Sequence, residues 1–569
     1  MADERFGRFQ RLSIVVLPHF SDKNVIPSSA LLEWESVLGK EYVVTTGSRV
    51  LEAEATTFAT NQQVPAILYP ATREQVQQCL RIASRYKVPV YPVSTGKNWG
   101  YGSRVPVESD CVLLDLHRMN GIVDYSENLA YVTVEPGVTQ AQLFSFLAAQ
   151  KSQLWMDATG SSPDCSLIGN TLERGFGHTP YGDHISNVCR FEVVLATGEL
   201  LETGFGRYTN AQAASVYPWG SGPSLDGLFA QSNFGVITRM TFWLMPAPER
   251  FEAFFFRSHK EESLPILVDA LQPLRLNGTL RGAIHLGNDY KVISAIRQYP
   301  WEETNGLTPL SPEYLRKFRK EMKFGVWNGS GGLYGTRAQV AEAKRLVRIA
   351  LRGKVDKLQF LSDRLFRLAS RFSRPVGIIT GWDLSKTLAL VKPLYGLMQG
   401  VPTDQSLASV YWRKRNPPPK QMDPDKDLCG LLWCSPVAPA EGKHVRIIES
   451  LSKGILPQHG FEPMLSITMI TGRALMCVIS IAYDREVQGE DQKARACFDE
   501  LRSELAVKGY PPYRLGIQSM GQIPSGGAYG ELLTAIKRSV DPTGILAPGR
   551  YAPNTLGVRP NDQVKNRSV

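Results

Sequence analysis

A chain of 569 residues is too long to close around one small core, so two or three domains are expected. With 43% hydrophobic and 21% charged residues it has the balance of a globular protein, and no apolar run approaches the roughly 18 residues of a membrane span. A net charge of +10 admits a nucleic-acid or membrane-surface partner, but the basic residues are spread along the chain rather than gathered in one block.

Within the first 21 residues the only apolar run, 12–17, is short for a signal peptide, and no small-residue cleavage site follows it. The eight cysteines form no C-x-x-C pair, so neither a zinc site nor a disulfide framework is indicated, and a reduced, cytoplasmic setting is expected. Residues 66–69 read as a strand. Residues 73–87 read as a helix that places Val76, Cys79, Leu80 and Ala83 on one face. The apolar run 88–91 is a second strand, and it leads into a loop that holds Gly96, Gly100 and Gly102. Glycines let main-chain N–H groups converge on an anion, and Ser94, Thr95, Lys97 and Asn98 add further donors. The spacing is neither G-x-G-x-x-G nor that of a P-loop, and a plain surface turn would also contain Gly and Asn.

The string Ser94-Thr95-Gly96-Lys97-Asn98-Trp99-Gly100-Tyr101-Gly102, in its strand context, closely resembles the pyrophosphate loop of the vanillyl-alcohol oxidase / p-cresol methylhydroxylase flavoproteins. Later segments agree with that family in the same order, over roughly residues 60 to 550. After strands at 111–116 and 129–134, Glu135-Pro136-Gly137-Val138-Thr139 resembles the family's second flavin-binding turn. It also reads as a strand–turn–helix junction capped by Thr139. Residues 169–184 carry Gly169, Asn170, Glu173, Gly175, Gly177, Tyr181 and Gly182, a loop held against something flat or anionic. His178 stands where the family usually has Tyr, and reads first as a structural histidine. A hairpin follows at 191–200. The stretch with Gly235, Val236 and Ile237 resembles the segment against the adenosine half of the cofactor.

Near Pro246-Ala247-Pro248 the texture changes, and a domain boundary is set there. Trp327-Asn328 with Leu333-Tyr334-Gly335 resembles part of the family's cap. Arg364, Arg367, Arg371 and Arg374 alternate with apolar residues as an amphipathic basic helix. The proline-rich 416–427 is expected to be an exposed loop before a strand at 431–434. Tyr510-Pro511-Pro512-Tyr513-Arg514 and 541–550 resemble the family's return to the flavin domain.

The resemblance implies an α+β fold with a two-part FAD-binding domain of the vanillyl-alcohol oxidase type and an antiparallel-sheet cap that forms the substrate domain. The boundaries are set at 1–247 and 508–569 for the FAD-binding parts and 248–507 for the cap. It implies FAD as cofactor, held by the loop and turn residues named above, with Arg550 near the pyrimidine end of the ring. It further implies oxidation of a para-substituted phenol by hydride transfer, leaving a quinone methide. Tyr101, Tyr513 and Arg514 would hold the phenolate, and Glu173 would take a proton from adding water. A non-phenolic alcohol or amine is the alternative substrate on the same fold. Dioxygen or a small cytochrome is the expected electron acceptor, with no nucleic-acid partner, no metal and a homodimeric assembly. The cap position that carries a flavin-bonding histidine in some members matches Leu431, which cannot bond. Tyr411 is the one candidate tether, and dissociable FAD is preferred.

Overall fold

Short apolar strands that flank the glycine loop assemble a four-stranded sheet in the spatial order Val43–Val44, Ile67–Leu68, Val112–Asp115, Val90–Val93. The last three are parallel, so each needs a crossover, and Arg73–Tyr86 supplies one. Thr72 caps this helix by accepting from the Gln75 N–H at 3.2 Å. It buries Val76, Cys79, Leu80 and Ala83 as the spacing predicts, with Ile82 beside them. The computed structural model of the chain describes residues 26–364, 366, 384–523 and 526–551. The N-terminal apolar run and most of the basic stretch 364–374 lie outside the described residues.

A second sheet of five antiparallel strands runs Ile122–Ser126, Tyr131–Val134, Val236–Trp243, Val188–Val194, Leu200–Glu202. Its last pair is the expected hairpin, and the helix after Tyr131–Val134 is Gln140–Ala149, closed by a Thr139/Gln142 capping box.

The third sheet has eight strands, all its pairings antiparallel. Seven follow one path: Lys357–Ser362, Arg250–Ser258, Trp327–Gly335, Ile284–Asn288, Met464–Met469, Ala474–Asp484, Cys429–Cys434. Val437–Pro439 adds to Ala474–Asp484. Strand residues alternate between two faces, and here the faces have different fates. Phe254, Ile284, Leu286, Ile467, Ile479 and Leu432 pack under the helices Ser263–Leu276, Arg337–Leu351, Gly442–Ile455 and Glu490–Val507. The opposite face carries Arg257, Ser330, His285, Thr468 and Trp433, and it stays open to a cavity.

After Val507 the chain returns to the first sheet. Val90 donates to Ile545 O at 2.8 Å and accepts from Ala547 N–H at 2.8 Å, so the C-terminal segment extends that sheet beyond Val90–Val93. All eight cysteines are buried and unpaired. Among the described residues no helix is long and apolar enough to cross a membrane, and no group of acidic, histidine or cysteine side chains is placed to hold a metal.

One expectation needs correction. The proline-rich loop is exposed over 415–421 and again at Lys426, but between them Pro424 and Asp425 are buried. The cause is three aspartates at alternate positions, of which Asp423 and Asp425 reach back to Lys97, Trp99 and Ser103 and Asp427 takes the Tyr411 hydroxyl.

Candidate functional site

A cavity of about 1000 Å³ is bounded on one side by the loops of the two smaller sheets and on the other by the open face of the eight-stranded sheet. The loop wall is mostly backbone and small polar groups: Ser94, Thr95, Gly96, Lys97, Asn98, Pro136, Gly169, Asn170, Gly175, Gly235, Val236 and Ile237. Thr95 Oγ1 accepts from the Ser166 N–H at 3.1 Å, and Ser166 Oγ donates to Pro136 O at 2.6 Å, so three separate loops are pinned together. The fit leaves no room for side chains. A Cβ on Gly169 would stand 2.5 Å from Ser94 Oγ, and one on Gly137 would stand 2.4 Å from His117 O.

Gly102, Gly137, Gly177, Tyr181 and Gly182, expected from the sequence to touch the cofactor, do not line this cavity. Gly137, Gly177 and Gly182 act behind the wall: a Cβ on Gly177 would collide with Asp157 Oδ2. Tyr181 lines a separate small cavity with Asn170 and His184. Asp157 is the hub of this loop. It accepts from the N–H groups of His178 (3.2 Å) and Thr179 (2.6 Å) and pairs with His184 Nε2 at 2.7 Å. Those bonds hold its carboxyl below the usual range despite burial, which acts the other way.

Where the loop wall meets the sheet, Tyr101, Tyr513 and Arg514 come together, as expected. The Arg514 guanidinium lies 4.4 Å from the centre of the Tyr101 ring and donates to Asn98 Oδ1 at 2.5 Å. The Tyr101 hydroxyl is 2.7 Å from Ser435 Oγ and within hydrogen-bonding reach of Tyr513. Burial pushes the Tyr101 phenol well above its ordinary value, so it stays protonated and acts as a donor. Glu173 is held by three groups: an ion pair with Arg550, Arg514 Nε at 3.3 Å and the Tyr551 hydroxyl at 3.0 Å. Arg550 also donates to the Tyr91 hydroxyl at 2.7 Å. Tyr551 and Tyr91 were not anticipated, although Tyr551 directly follows Arg550.

The sheet side of the cavity is built from alternate residues of its strands, including Arg257, Gln359, Ser330, His285, Gly287, Ser466, Thr468, Leu431 and Trp433. His178 packs on His285 with ring centres 4.3 Å apart, and burial keeps both rings neutral. His178 Nδ1 sits 3.3 Å from Ala158 O. Lys291, at the start of the helix after Ile284–Asn288, extends over Gly287 into the cavity.

The aspartate strap joins the two sides. Asp423 pairs with Lys97 at 3.1 Å; Asp425 accepts from Trp99 Nε1 (3.1 Å) and Ser103 Oγ (2.7 Å); Asp427 accepts from the Tyr411 hydroxyl. Tyr411 is fully buried behind Val410 and does not line the cavity. An acidic residue at every second position of 423–427 was the signal in the sequence for this strap.

These features fit the FAD expected from the glycine loop. A backbone cradle closed by glycines faces the cavity, the hydroxyl, amide and ammonium groups of Ser94, Thr95, Asn98 and Lys97 line it, and Arg550 lines the same cavity. An FAD binding domain profile matches residues 64–204. The chain is 45% identical to 1'-carboxy-chondrochloren decarboxylase of Chondromyces crocatus over 92% of this chain and 96% of that protein. It is 33% identical to the 4-cresol dehydrogenase [hydroxylating] flavoprotein subunit of Pseudomonas putida over 85% and 87% of the two chains. The solved structure of 4-ethylphenol oxidase from Gulosibacter chungangensis superposes with a TM-score of 0.83 at 29% identity, covering 92% of this chain and 97% of the other.

Proposed function

This chain belongs to the vanillyl-alcohol oxidase / p-cresol methylhydroxylase family of FAD-linked oxidoreductases, and from that premise we propose that it oxidises a para-substituted phenol at the carbon attached to the ring. The observation that carries the reading is the cluster of Tyr101, Tyr513 and Arg514 at the junction of loop wall and sheet. A phenol whose oxygen enters this cluster meets two hydroxyl donors and a guanidinium. All three favour its ionised form, and ionisation pushes electron density to the para carbon. Because Tyr101 stays protonated, its role is to donate to the phenolate oxygen rather than to take the proton. FAD supplies the acceptor for the hydride that leaves that carbon, and the substrate remains as a quinone methide.

Glu173 serves in this reading as the shared counter-ion of Arg514 and Arg550. That gives it a reason other than proton transfer, because a carboxylate already engaged by two guanidinium groups and a tyrosine is poorly free to accept a proton from water. The pair of arginines keeps positive charge beside the site where negative charge accumulates. Tyr411, bonded to Asp427 behind the cavity wall, supports FAD bound without a covalent tether.

A second reading is favoured by the relative named as a decarboxylase, which is similar along nearly the whole chain. If the para side chain carries a carboxylate on the carbon adjacent to the oxidised one, the carboxylate can leave the quinone methide as carbon dioxide. Its bonding pair then forms the new C=C bond and restores the phenolate. Both readings need the same phenolate cluster. Arg514→Ala is expected to slow anaerobic flavin reduction by para-alkylphenols by about 100-fold or more, with a smaller change in their apparent affinity. An equal loss with ordinary alcohols and amines, or a loss confined to affinity, would rule out the phenolate role. Carbon dioxide release from a carboxylated substrate separates the second reading from the first.

A further inference from the structure

Lys291 is a cation without an anion. Its Nζ donates to Ser409 Oγ at 3.2 Å and lies 5.6 Å from the centre of the Trp433 ring, and among the described residues no carboxylate pairs with it. The side chain keeps some exposure, but that surface faces the cavity. Burial pushes its ammonium down to about 8, with no charged neighbour acting in the other direction. Of the two acidic side chains on the cavity wall, Glu173 is taken by Arg514 and Arg550, and Glu321 belongs to the helix Pro312–Met322. An enclosed, unpaired ammonium is costly, and a protein that keeps one gains when a ligand brings the counter-charge.

The position of this charge relative to the phenolate cluster identifies the part of the substrate it meets. Trp433, beside Lys291, lies two residues before Ser435, the partner of the Tyr101 hydroxyl. Two residues span about 7 Å of extended chain. Lys291 and the phenolate cluster therefore meet the same short stretch, Trp433 to Ser435, at two different points, and all of Lys291, Trp433, Tyr101, Tyr513 and Arg514 line one cavity. The groups that touch Lys291 are neutral: Ser409 supplies a hydroxyl, Trp433 a ring and Gly287 backbone.

We propose that Lys291 is a substrate-specificity residue, and that the cavity takes phenols whose para side chain carries a carboxylate, held by the Lys291 ammonium with Ser409 beside it. This rests on the phenol reading for the other end of the substrate.

The test uses flavin-loaded protein and ligands that lack an oxidisable carbon, so that binding is read at equilibrium from perturbation of the flavin absorbance. The pairs are para-hydroxybenzoate and para-hydroxycinnamate, each against its own amide. The wild type is expected to prefer the carboxylate in at least one pair by about 30-fold, a factor typical of one charge-assisted contact in an enclosed site. Lys291→Met should reduce that preference to within about threefold, and Lys291→Arg, which keeps the charge, should restore part of it. No preference in the wild type, or a preference that survives in Lys291→Met, overturns the proposal. Flavin reduction by 3-(4-hydroxyphenyl)propanoate against its O-methyl ether, which keeps the carboxylate and removes the ionisable phenol, reports on the phenol reading alone. If the ether is reduced as fast while carboxylate preference follows Lys291, that reading falls and the subsite stands.

Discussion

The two sides of the cavity are built on opposite principles. The loop wall, from Ser94 to Asn98 with Pro136 and Gly169, works through main chain and small groups, and its residues sit in compact runs of sequence. The sheet side works through single side chains such as His285, Thr468 and Trp433, each contributed by a different strand and spread over more than a hundred residues. A diphosphate asks for converging N–H groups, which only a continuous loop provides. A substrate ring and its substituent ask for side chains at chosen points, which a sheet supplies by alternation. The loop wall should therefore tolerate almost no added atoms, whereas the sheet side should tolerate changes of shape and respond to changes of charge.

The largest effect should come where the two sides touch. Gly100 has φ +76°, and a Cβ there would stand 1.8 Å from Trp433 Cδ1. The left-handed backbone costs about 1–2 kcal/mol for any other residue, and overpacking adds about 1–3 kcal/mol. Gly100→Ala is expected to lose about 4 kcal/mol of stability and to shed flavin on gel filtration. Ser466→Ala on the sheet side should change stability by about 1 kcal/mol or less. Similar losses in the two variants, read from denaturant midpoints, would remove the contrast.

The same contrast explains what could be read from the sequence. The strands and helix around the glycine loop were legible because apolar spacing is local. The triad of Tyr101, Tyr513 and Arg514 was reachable only through the family resemblance, because all three fall inside strings that match the family's motifs. Lys291 was not legible. It carries no motif, and its meaning depends on the absence of a carboxylate from strands far away in the chain. The strap of Asp423, Asp425 and Asp427 had a signal, the acidic alternation, but the prolines before it argued for an exposed loop, and that part of the expectation failed. Hydrogen bonds to Trp99 and Ser103 outweighed the local preference.

The strap offers a sharper, pH-dependent test, because it is where the cap grips the loop wall. Burial pushes the Asp425 carboxyl up to about 7, with nearby Asp423 adding to it and Ser103, Arg104 and Lys97 opposing. A raised folded-state value means that the stability present at acid pH, below the ordinary carboxylate range, is lost as pH rises through about 7. Asn cannot ionise and keeps an acceptor for Trp99 Nε1. Asp425→Asn should therefore gain on the wild type as pH rises from 5 to 8, by about 2 kcal/mol in unfolding free energy. A difference between the two proteins that is constant across that range would mean that Asp425 does not titrate there, and the strap would confer no pH dependence.

The smallest effect concerns Tyr411, which lies at the end of the strap and belongs to neither side of the cavity. Its ring packs with Trp99, Leu407, Val410, Cys429 and Leu431, and its hydroxyl donates to Asp427. Burial and the carboxylate together push its phenol far above the ordinary value, which leaves no phenolate to bond to a flavin ring. Replacing it should therefore remove one hydrogen bond and little else. Tyr411→Phe is expected to cost about 1 kcal/mol of stability. On acid precipitation, wild type and variant alike should give a colourless pellet and a yellow supernatant. A yellow pellet from the wild type that turns colourless in the variant would show that Tyr411 faces the ring in the loaded protein. The strap would then have to release Asp427 when FAD binds, and the line drawn here between the cavity wall and its support would move by one residue, from Val410 to Tyr411.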